Sequence, residues 1–393
     1  MRICMITNEF PPKIGGMGGY VYNLSKEMVK RGHKVTVVTR GSWRGLQAAR
    51  FNAIDVYRVP YIHIYPLLEA TQGIFQNRIL KGLSSELDVV HVHHPISPKF
   101  NTALPIMVTL HASVGLGSID SQNFYSSRRL PGPLFSAMRS YVRSGERKIL
   151  ERADCITTVS NALVNELHSL HGIDVSSITV LGNGVDTELF KPPKTRSDEK
   201  TVLYTGRLYY NKGLLDLVKA AKHVLHRYPE TSFVLTGRGP IEGQLRRIIA
   251  RLNISKNFRF TGFVEESTLI ELYQSATVYV FPSYYEGLPT SMLEAMACGT
   301  PVVVTAINGI LEVVKDGQNG FTVPVKDPMT MANAIARILS DNDLQERIGR
   351  AARVTIKEGF TWEIVAKRAS ECYRSLAKSG ESYKAADHEA THS

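Results

Sequence analysis

Glu286 and Glu294 flank a Gly287-Leu288-Pro289-Thr290-Ser291 turn that opens a helix. A turn feeding a helix N-terminus presents backbone N–H groups that lack an intrahelical partner, and such groups suit an anion. Carboxylates at either end of the turn can accept hydrogen bonds from sugar hydroxyls. One element therefore carries the parts needed to grip a phosphate and two sugar rings, which is what a sugar-nucleotide donor requires. Glu294 falls in the first or second helical turn, where the dipole favours a charged carboxylate, and its two oxygens match a ribose diol. Glu286 precedes the helix. Taken singly, Glu294 reads as a dipole-complementing surface residue and Glu286 as a turn residue. The surrounding segment supplies the functional reading.

A phosphate cradle is spelled by Thr205-Gly206-Arg207-Leu208, with Asn211-Lys212-Gly213 four residues after Arg207. Gly206 permits close backbone approach. Arg207 offers a planar fork of donors and Lys212 a mobile point charge. Pro11-Pro12-Lys13-Ile14-Gly15-Gly16 forms a second loop, after an apolar strand at 3–7 and before a helical pattern over 19–31. Its amides can press on phosphate or sugar. A nicotinamide dehydrogenase would also carry a Gly-rich loop, but it needs G-x-G-x-x-G and an acidic residue ending the second strand. Here the glycines are spaced otherwise and that strand ends at Arg40. A glycosidase also uses two carboxylates, yet has no use for a strand-Gly-Arg-x4-Lys phosphate site.

The pattern Glu-x7-Glu followed by Ala295-Met296-Ala297-x-Gly299-x-Pro301-Val302-Val303 resembles the signature of retaining glycosyltransferase family 4, the glycosyl transferases group 1. Further marks recur in order, from Pro11-Pro12-x-x-Gly15-Gly16 to Thr361-Trp362-Glu363, and cover nearly the whole chain. The resemblance implies a GT-B architecture of two Rossmann-like α/β domains facing a cleft. It implies that Glu286 meets the transferred sugar, Glu294 the ribose, and Arg207 and Lys212 the diphosphate. Gly237, in the turn Gly237-Arg238-Gly239-Pro240, lies near the nucleotide in the family. His111, ending the apolar strand 106–110, reaches the donor sugar near its anomeric carbon. Many relatives place an acidic residue or glycine directly after this histidine, whereas this chain has Ala112. The implied catalytic set is His111, Arg207, Lys212 and Glu286. The implied donor-binding set is Gly15, Gly16, Arg207, Lys212, Gly237, Gly287, Leu288, Pro289, Thr290 and Glu294.

The expected reaction transfers a hexose or N-acetylhexosamine from a nucleotide-diphosphate sugar, with UDP favoured over GDP-mannose, to a lipid-linked, glycan or small-molecule acceptor. Anomeric configuration is kept. No metal or other cofactor is expected, so the leaving group's charge falls to Arg207, Lys212 and the helix amides after Gly287. The strand-borne His91 and His93 share a face, but no third ligand of suitable type accompanies them. Asp341-Asn342-Asp343, the one Asp-x-Asp match, reads as a helix cap. A same-fold nucleotide-sugar epimerase and a non-catalytic sugar-nucleotide-binding protein are the alternatives.

The elements that position these residues follow from short apolar runs alternating with helical patterns, the signature of parallel sheets under helices. With 393 residues, 43% of them hydrophobic, the chain is long enough for two cores. An acceptor-side domain is expected over 1–188, a Pro-rich linker over 189–200, and a nucleotide-sugar domain over 201–361. A helix over about 362–377 should pack back on the first domain, and 378–393 should lack regular structure. Four scattered cysteines with no CxxC pair, no signal-peptide pattern and no apolar run of membrane length point to a cytoplasmic protein. The net charge of +11 favours anionic partners. Residues 128–152, basic with interleaved apolar residues, are a candidate contact for an anionic bilayer on its inner face, or for a lipid-phosphate acceptor. The plain reading of that stretch is a helix with a solvated basic face. No nucleic-acid recognition module is present.

Overall fold

The computed structural model describes residues 1–12, 15–42, 45–61, 67–94, 100–113 and 132–390. The first half contributes β1 (Arg2–Ile6), α1 (Gly16–Lys30), β2 (Lys34–Arg40), β3 (Gln47–Phe51), β4 (Ile54–Val59) and α2 (Leu67–Gly82). It continues with β5 (Val89–His94), β6 (Ile106–Leu110), α3 (Gly132–Arg152), β7 (Cys155–Thr158), α4 (Asn161–His171) and β8 (Ile178–Val180). The second half starts with β9 (Thr201–Thr205), α5 (Leu214–Arg227), β10 (Ser232–Thr236), α6 (Glu242–Arg251), β11 (Phe258–Gly262) and α7 (Glu266–Ser275). Then come β12 (Val278–Phe281), α8 (Thr290–Ala297), β13 (Val302–Thr305), α9 (Asn308–Leu311), β14 (Phe321–Val323), α10 (Pro328–Leu339), α11 (Asn342–Gly359) and α12 (Trp362–Ala390).

Two sheets result. The first runs β3-β4-β2-β1-β5-β6-β7-β8 and the second β11-β10-β9-β12-β13-β14. Every pairing is parallel except β3 with β4. Strands covered by helices on both faces lose the in/out alternation and become continuous apolar runs. Thus Val278–Phe281 and Val302–Thr305 are buried at every position. In each sheet the strand order reverses about its first strand. The crevice beyond the carboxyl ends at such a reversal is where open α/β sheets bind ligands. In the second sheet the reversal separates β9 from β12, and in the first β1 from β5.

The chain divides into two compact units at Asn183/Gly184 and at Thr361/Trp362. Helix α12 belongs to the first unit, where it packs on α1 and β5. Its buried Val365, Ala366, Ala369, Tyr373 and Leu376 lie along one helical stripe. The helix continues to Ala390, through residues expected to lack regular structure. Lys384, Ala385, Ala386 and Glu389 are good helix formers, so an established helix can propagate through them. Residues 189–200 are not a free linker. Gln274 Nε2 donates to Lys191 O at 2.8 Å, Arg353 Nη1 donates to Phe190 O at 2.8 Å, and Arg196 bonds to Gly299 O. Strand β3 escaped the sequence reading because all five of its residues are exposed, so no apolar pattern marks it. Asn52 and Ala53 (φ 49° and 64°) turn it into β4, the left-handed pair that a tight hairpin needs. Asp341 caps α11, its Oδ1 accepting from Leu344 N at 2.9 Å, as the sequence indicated.

Candidate active site

Loops at the β9/β12 reversal carry the cradle residues. Gly206 leaves β9 with φ 145°, and its N–H donates to Thr236 O at 3.0 Å. A Cβ on Gly237 would stand 2.0 Å from Gly206 O, and one on Gly239 2.1 Å from Leu208 O. The loops after β9 and β10 therefore pack backbone to backbone, which by itself accounts for Gly237. A Cβ on Gly213 would lie 1.9 Å from Pro282 O, so the first loop also seats against the segment after β12. That seam is sewn by Tyr284 N donating to Asn211 O at 2.8 Å and by Tyr284 OH donating to Asp216 Oδ2 at 2.6 Å.

On this frame Lys212 Nζ forms an ion pair with Glu286 Oε1, and Ser283 Oγ donates to the same oxygen at 2.7 Å. Lys212 and Glu286 side chains are only 12% and 16% exposed, so water screens the pair weakly. Arg207 is exposed; its guanidinium lies 5.3 Å from the Tyr209 ring centroid and has no ion pair among the described residues. Tyr204 OH donates to Arg207 O at 2.9 Å and fixes the loop from below.

Helix α8 starts at Thr290 with Pro289 as its N-cap and no side-chain cap. Gly287, Leu288 and Pro289 are buried, so only their backbone can serve a ligand; Thr290 is half-buried. Glu294 lies in the second turn. Tyr273 OH donates to its Oε2 at 2.9 Å, and Oε1 has no partner among the described residues. Burial raises the Glu294 carboxyl to about 7; the Tyr273 hydrogen bond pulls it down, and the nearby Glu266 charge pushes it up. Both glutamates act on one phenol, Tyr279, which burial holds well above its ordinary value while Glu294 and Glu286 add to the rise. Tyr279 OH donates to Ser291 Oγ at 2.9 Å. Thr205 Oγ1 lies 2.8 Å from Tyr273 OH and 3.3 Å from Tyr279 OH. The structure thus brings Glu286, Glu294, Arg207 and Lys212 onto one connected frame. Ser283, Tyr273 and Tyr279 were missed by the sequence reading. The available signal was a tyrosine inside otherwise apolar strand and helix patterns, whose hydroxyl must find a partner when buried.

In the first unit, Gly15 caps α1 and Gly16 begins it. A Cβ on Gly15 would meet Glu9 Oε2 at 2.1 Å, so a carboxylate already stands at this helix N-terminus; Gly16 faces open space. Lys13 and Ile14 of that loop lie outside the described residues.

His111 directly follows β6, and its Nε2 lies 3.1 Å from His93 Nδ1 at the end of β5. The Tyr20 ring packs edge-on to His111 at 4.6 Å and to Trp362 at 5.2 Å. Burial drives the His111 imidazole down to about 3 and His93 well below its ordinary value, so both rings are neutral at physiological pH. His94 points to the opposite face. There Glu146 of α3, wholly buried, accepts from His171 Nε2 at 2.8 Å and from Ser113 Oγ at 3.1 Å. His94 Nε2 lies 3.3 Å from Glu146 Oε2 but is misaligned for a hydrogen bond. Among the described residues no group of three or more His, Cys, Asp or Glu is arranged to hold a metal ion.

Residues 128–131 of the basic stretch lie outside the described residues, as do the side chains at 132–135 and 137–139. Of the remainder, Arg143 donates to Leu170 O at 2.6 Å, Arg152 to Thr102 O at 2.8 Å, and Arg147 pairs with Glu151 at 2.8 Å. Tyr141 and Lys148 stay exposed. No helix among the described residues is long and apolar enough to cross a membrane.

Comparison with known proteins follows the same division. Residues 185–355 match the model of glycosyl transferases group 1, and residues 14–189 match that of glycosyltransferase family 4. An uncharacterized glycosyltransferase of Methanocaldococcus jannaschii is 30% identical, over 95% of this chain and 98% of the relative. Among solved structures, sucrose-phosphate synthase of Thermosynechococcus elongatus superposes with a TM-score of 0.80 at 26% identity, covering 96% of this chain and 99% of that one. The Anabaena protein HepE, solved in complex with UDP-glucose, shares the fold with a TM-score of 0.74 at 18% identity, over 95% of this chain and 100% of that one.

Proposed function

Because the chain belongs to glycosyltransferase family 4, a family of retaining hexosyltransferases, and transfers sugar from a nucleotide-sugar donor, we propose that its donor is a UDP-hexose or UDP-N-acetylhexosamine. The observation that carries this reading is the frame at the β9/β12 reversal. An exposed arginine, a lysine held by a glutamate, an uncapped helix N-terminus and a carboxylate with one open oxygen all hang from adjoining loops. In this reading Arg207, Lys212 and the amides of α8 take up the charge of the leaving diphosphate. Glu294 Oε1 accepts from the ribose, and Glu286 from the transferred sugar. Gly15, Gly16 and His111 serve the donor from the first unit, and His111 meets the reacting sugar. Gly237 shapes the cradle by its packing. UDP is favoured over GDP-mannose by the UDP-glucose complex of the fold relative.

Calorimetry with UDP-glucose, UDP-N-acetylglucosamine and GDP-mannose tests the donor. A UDP-sugar should bind best, and a clear preference for GDP-mannose removes the uridine assignment. An acceptor requirement separates transfer from epimerisation, since an epimerase changes the donor alone. For the acceptor, the exposed face of α3 around Tyr141 and Lys148 is proposed to meet anionic lipid or a lipid phosphate. Co-sedimentation with anionic vesicles at low salt should then recover the protein. Absence from the pellet rejects this contact.

A further inference from the structure

Two histidines on one face of β5 lie in contrasting surroundings. His91 is fully satisfied, and the direction of every bond around it can be assigned. Thr157 Oγ1 bonds to Val108 O at 3.0 Å, and a carbonyl only accepts, so the Thr157 hydroxyl hydrogen is committed there. Thr109 Oγ1, 2.5 Å from Thr157 Oγ1, must therefore donate to it. That leaves Thr109 to accept from His91 Nε2 at 2.6 Å. His91 is thus protonated on Nε2, and its Nδ1 accepts from Tyr373 OH at 2.6 Å.

The His93 ring lies against that of His91, tilted by 38° with centroids 4.1 Å apart, and is wholly buried. Its Nδ1 faces His111 Nε2 at 3.1 Å, while its Nε2 is buried with no hydrogen-bond partner. Two neutral imidazoles sharing one hydrogen bond allow two arrangements. If His111 donates from Nε2, then His93 must carry its own hydrogen on Nε2, leaving a buried N–H with no acceptor. If His93 donates from Nδ1, the buried Nε2 holds only a lone pair. Buried N–H groups without partners are the rarer and costlier defect. The second arrangement therefore prevails, and it places the remaining hydrogen of His111 on Nδ1. That nitrogen makes no hydrogen bond among the described residues, and His111 is half-buried where His93 is wholly buried.

We infer that His93 is a positioning residue: its Nδ1–H, donated to His111 Nε2, locks His111 as the Nδ1–H tautomer, so that His111 offers a hydrogen-bond donor, not an acceptor, to a ligand oxygen. A hydroxyl or ring oxygen of a sugar, or a phosphate oxygen, fits that donor; an ammonium group or another N–H donor does not. The inference rests on His111 meeting the reacting sugar. Its geometry, however, belongs to the strand register, in which His93 pairs with Thr109, two residues before His111. Burial of both rings keeps them neutral throughout the physiological range, so the lock holds without titrating.

Long-range proton–nitrogen NMR on full-length protein labelled with 15N-histidine reads the tautomer, with His111 assigned by the signals lost in His111→Gln. The unliganded wild type should show a protonated Nδ1 and an unprotonated Nε2 at His111. In His93→Phe the His111 signals should move to a tautomer mixture. kcat should fall about tenfold with the donor KM held within about twofold. His93→Asn, whose amide N–H can stand in for Nδ1–H, should restore most of kcat. An Nε2–H pattern at His111 in the wild type overturns the inference. So does a His93→Phe protein with unchanged tautomer and unchanged kcat. If His93→Phe fails to fold, the wild-type spectrum alone still decides. A fully active His111→Ala would instead remove His111 from the chemistry and leave the tautomer measurement standing.

Discussion

The loops at the β9/β12 reversal and the histidine cluster at the ends of β5 and β6 both hold polar groups ready in partly dry surroundings, by opposite means. The second unit uses ionisable side chains: Lys212 against Glu286, an exposed Arg207, and Glu294, whose carboxyl burial raises to about 7. The first unit uses neutral rings, His91, His93 and His111, ordered by single hydrogen bonds. Charges suit a ligand whose own charge changes during reaction, as a departing diphosphate does. Neutral donors suit hydroxyls and ring oxygens, which must be oriented but not neutralised. The difference agrees with the proposed division, in which the second unit takes the diphosphate and the first orients the sugar.

The hardest test of that assignment is Arg207→Ala. It removes the open cation, and kcat should fall by about 10²–10³-fold. The thermal melt should barely move, because Arg207 is exposed and has no ion pair among the described residues. His111→Ala should cost less, about 10–100-fold in kcat, and the loss should not depend on ionic strength. A salt-sensitive loss would mean that the first unit also works by charge. In every case the product linkage, read by NMR, should keep the donor's anomeric configuration; an inverted linkage would break the mechanism outright.

Glu294 sharpens the contrast through pH. Its folded value, about 7, lies above the ordinary 4.5, so the folded protein binds the extra proton between them. Stability from this group is therefore fully present below pH 4.5 and is lost as pH rises through 7. Glu294→Gln should raise unfolding stability above pH 7 by up to about 3 kcal/mol, measured by denaturant titration, while weakening donor binding. In wild type the donor KM should climb as pH drops below 7, and the variant should be flat. The smallest effect belongs to Tyr273→Phe. Deleting the hydrogen bond to Oε2 should cost about 1 kcal/mol and move the KM transition to higher pH, because that bond holds the carboxyl down.

Sequence sufficed where function and burial coincide with short-range pattern. Ile106–Leu110 and Val278–Phe281 are strands with those bounds because each is a buried run bounded by a proline at one end and a polar residue at the other, Pro105 and His111 for the first, Thr277 and Pro282 for the second. The Glu286–Glu294 spacing could be read because turn and helix are contiguous. What escaped depends on register and long range. Tyr273 serves Glu294 from another helix, and Ser283 serves Glu286 through a tight turn. The carboxylate beside His94 comes from α3, far along the chain. The His93–His111 contact requires β5 to lie beside β6 in one register, and composition carries no record of that.

The Lys212–Glu286 ion pair also bears on turnover. A lysine that already owns a counter-ion does not sit as a bare charge when the diphosphate departs. If Lys212 holds the diphosphate as proposed, Glu286 stands ready as its counter-ion, and emptying the cradle becomes an exchange of partners within the protein. That exchange lowers the cost of releasing the by-product.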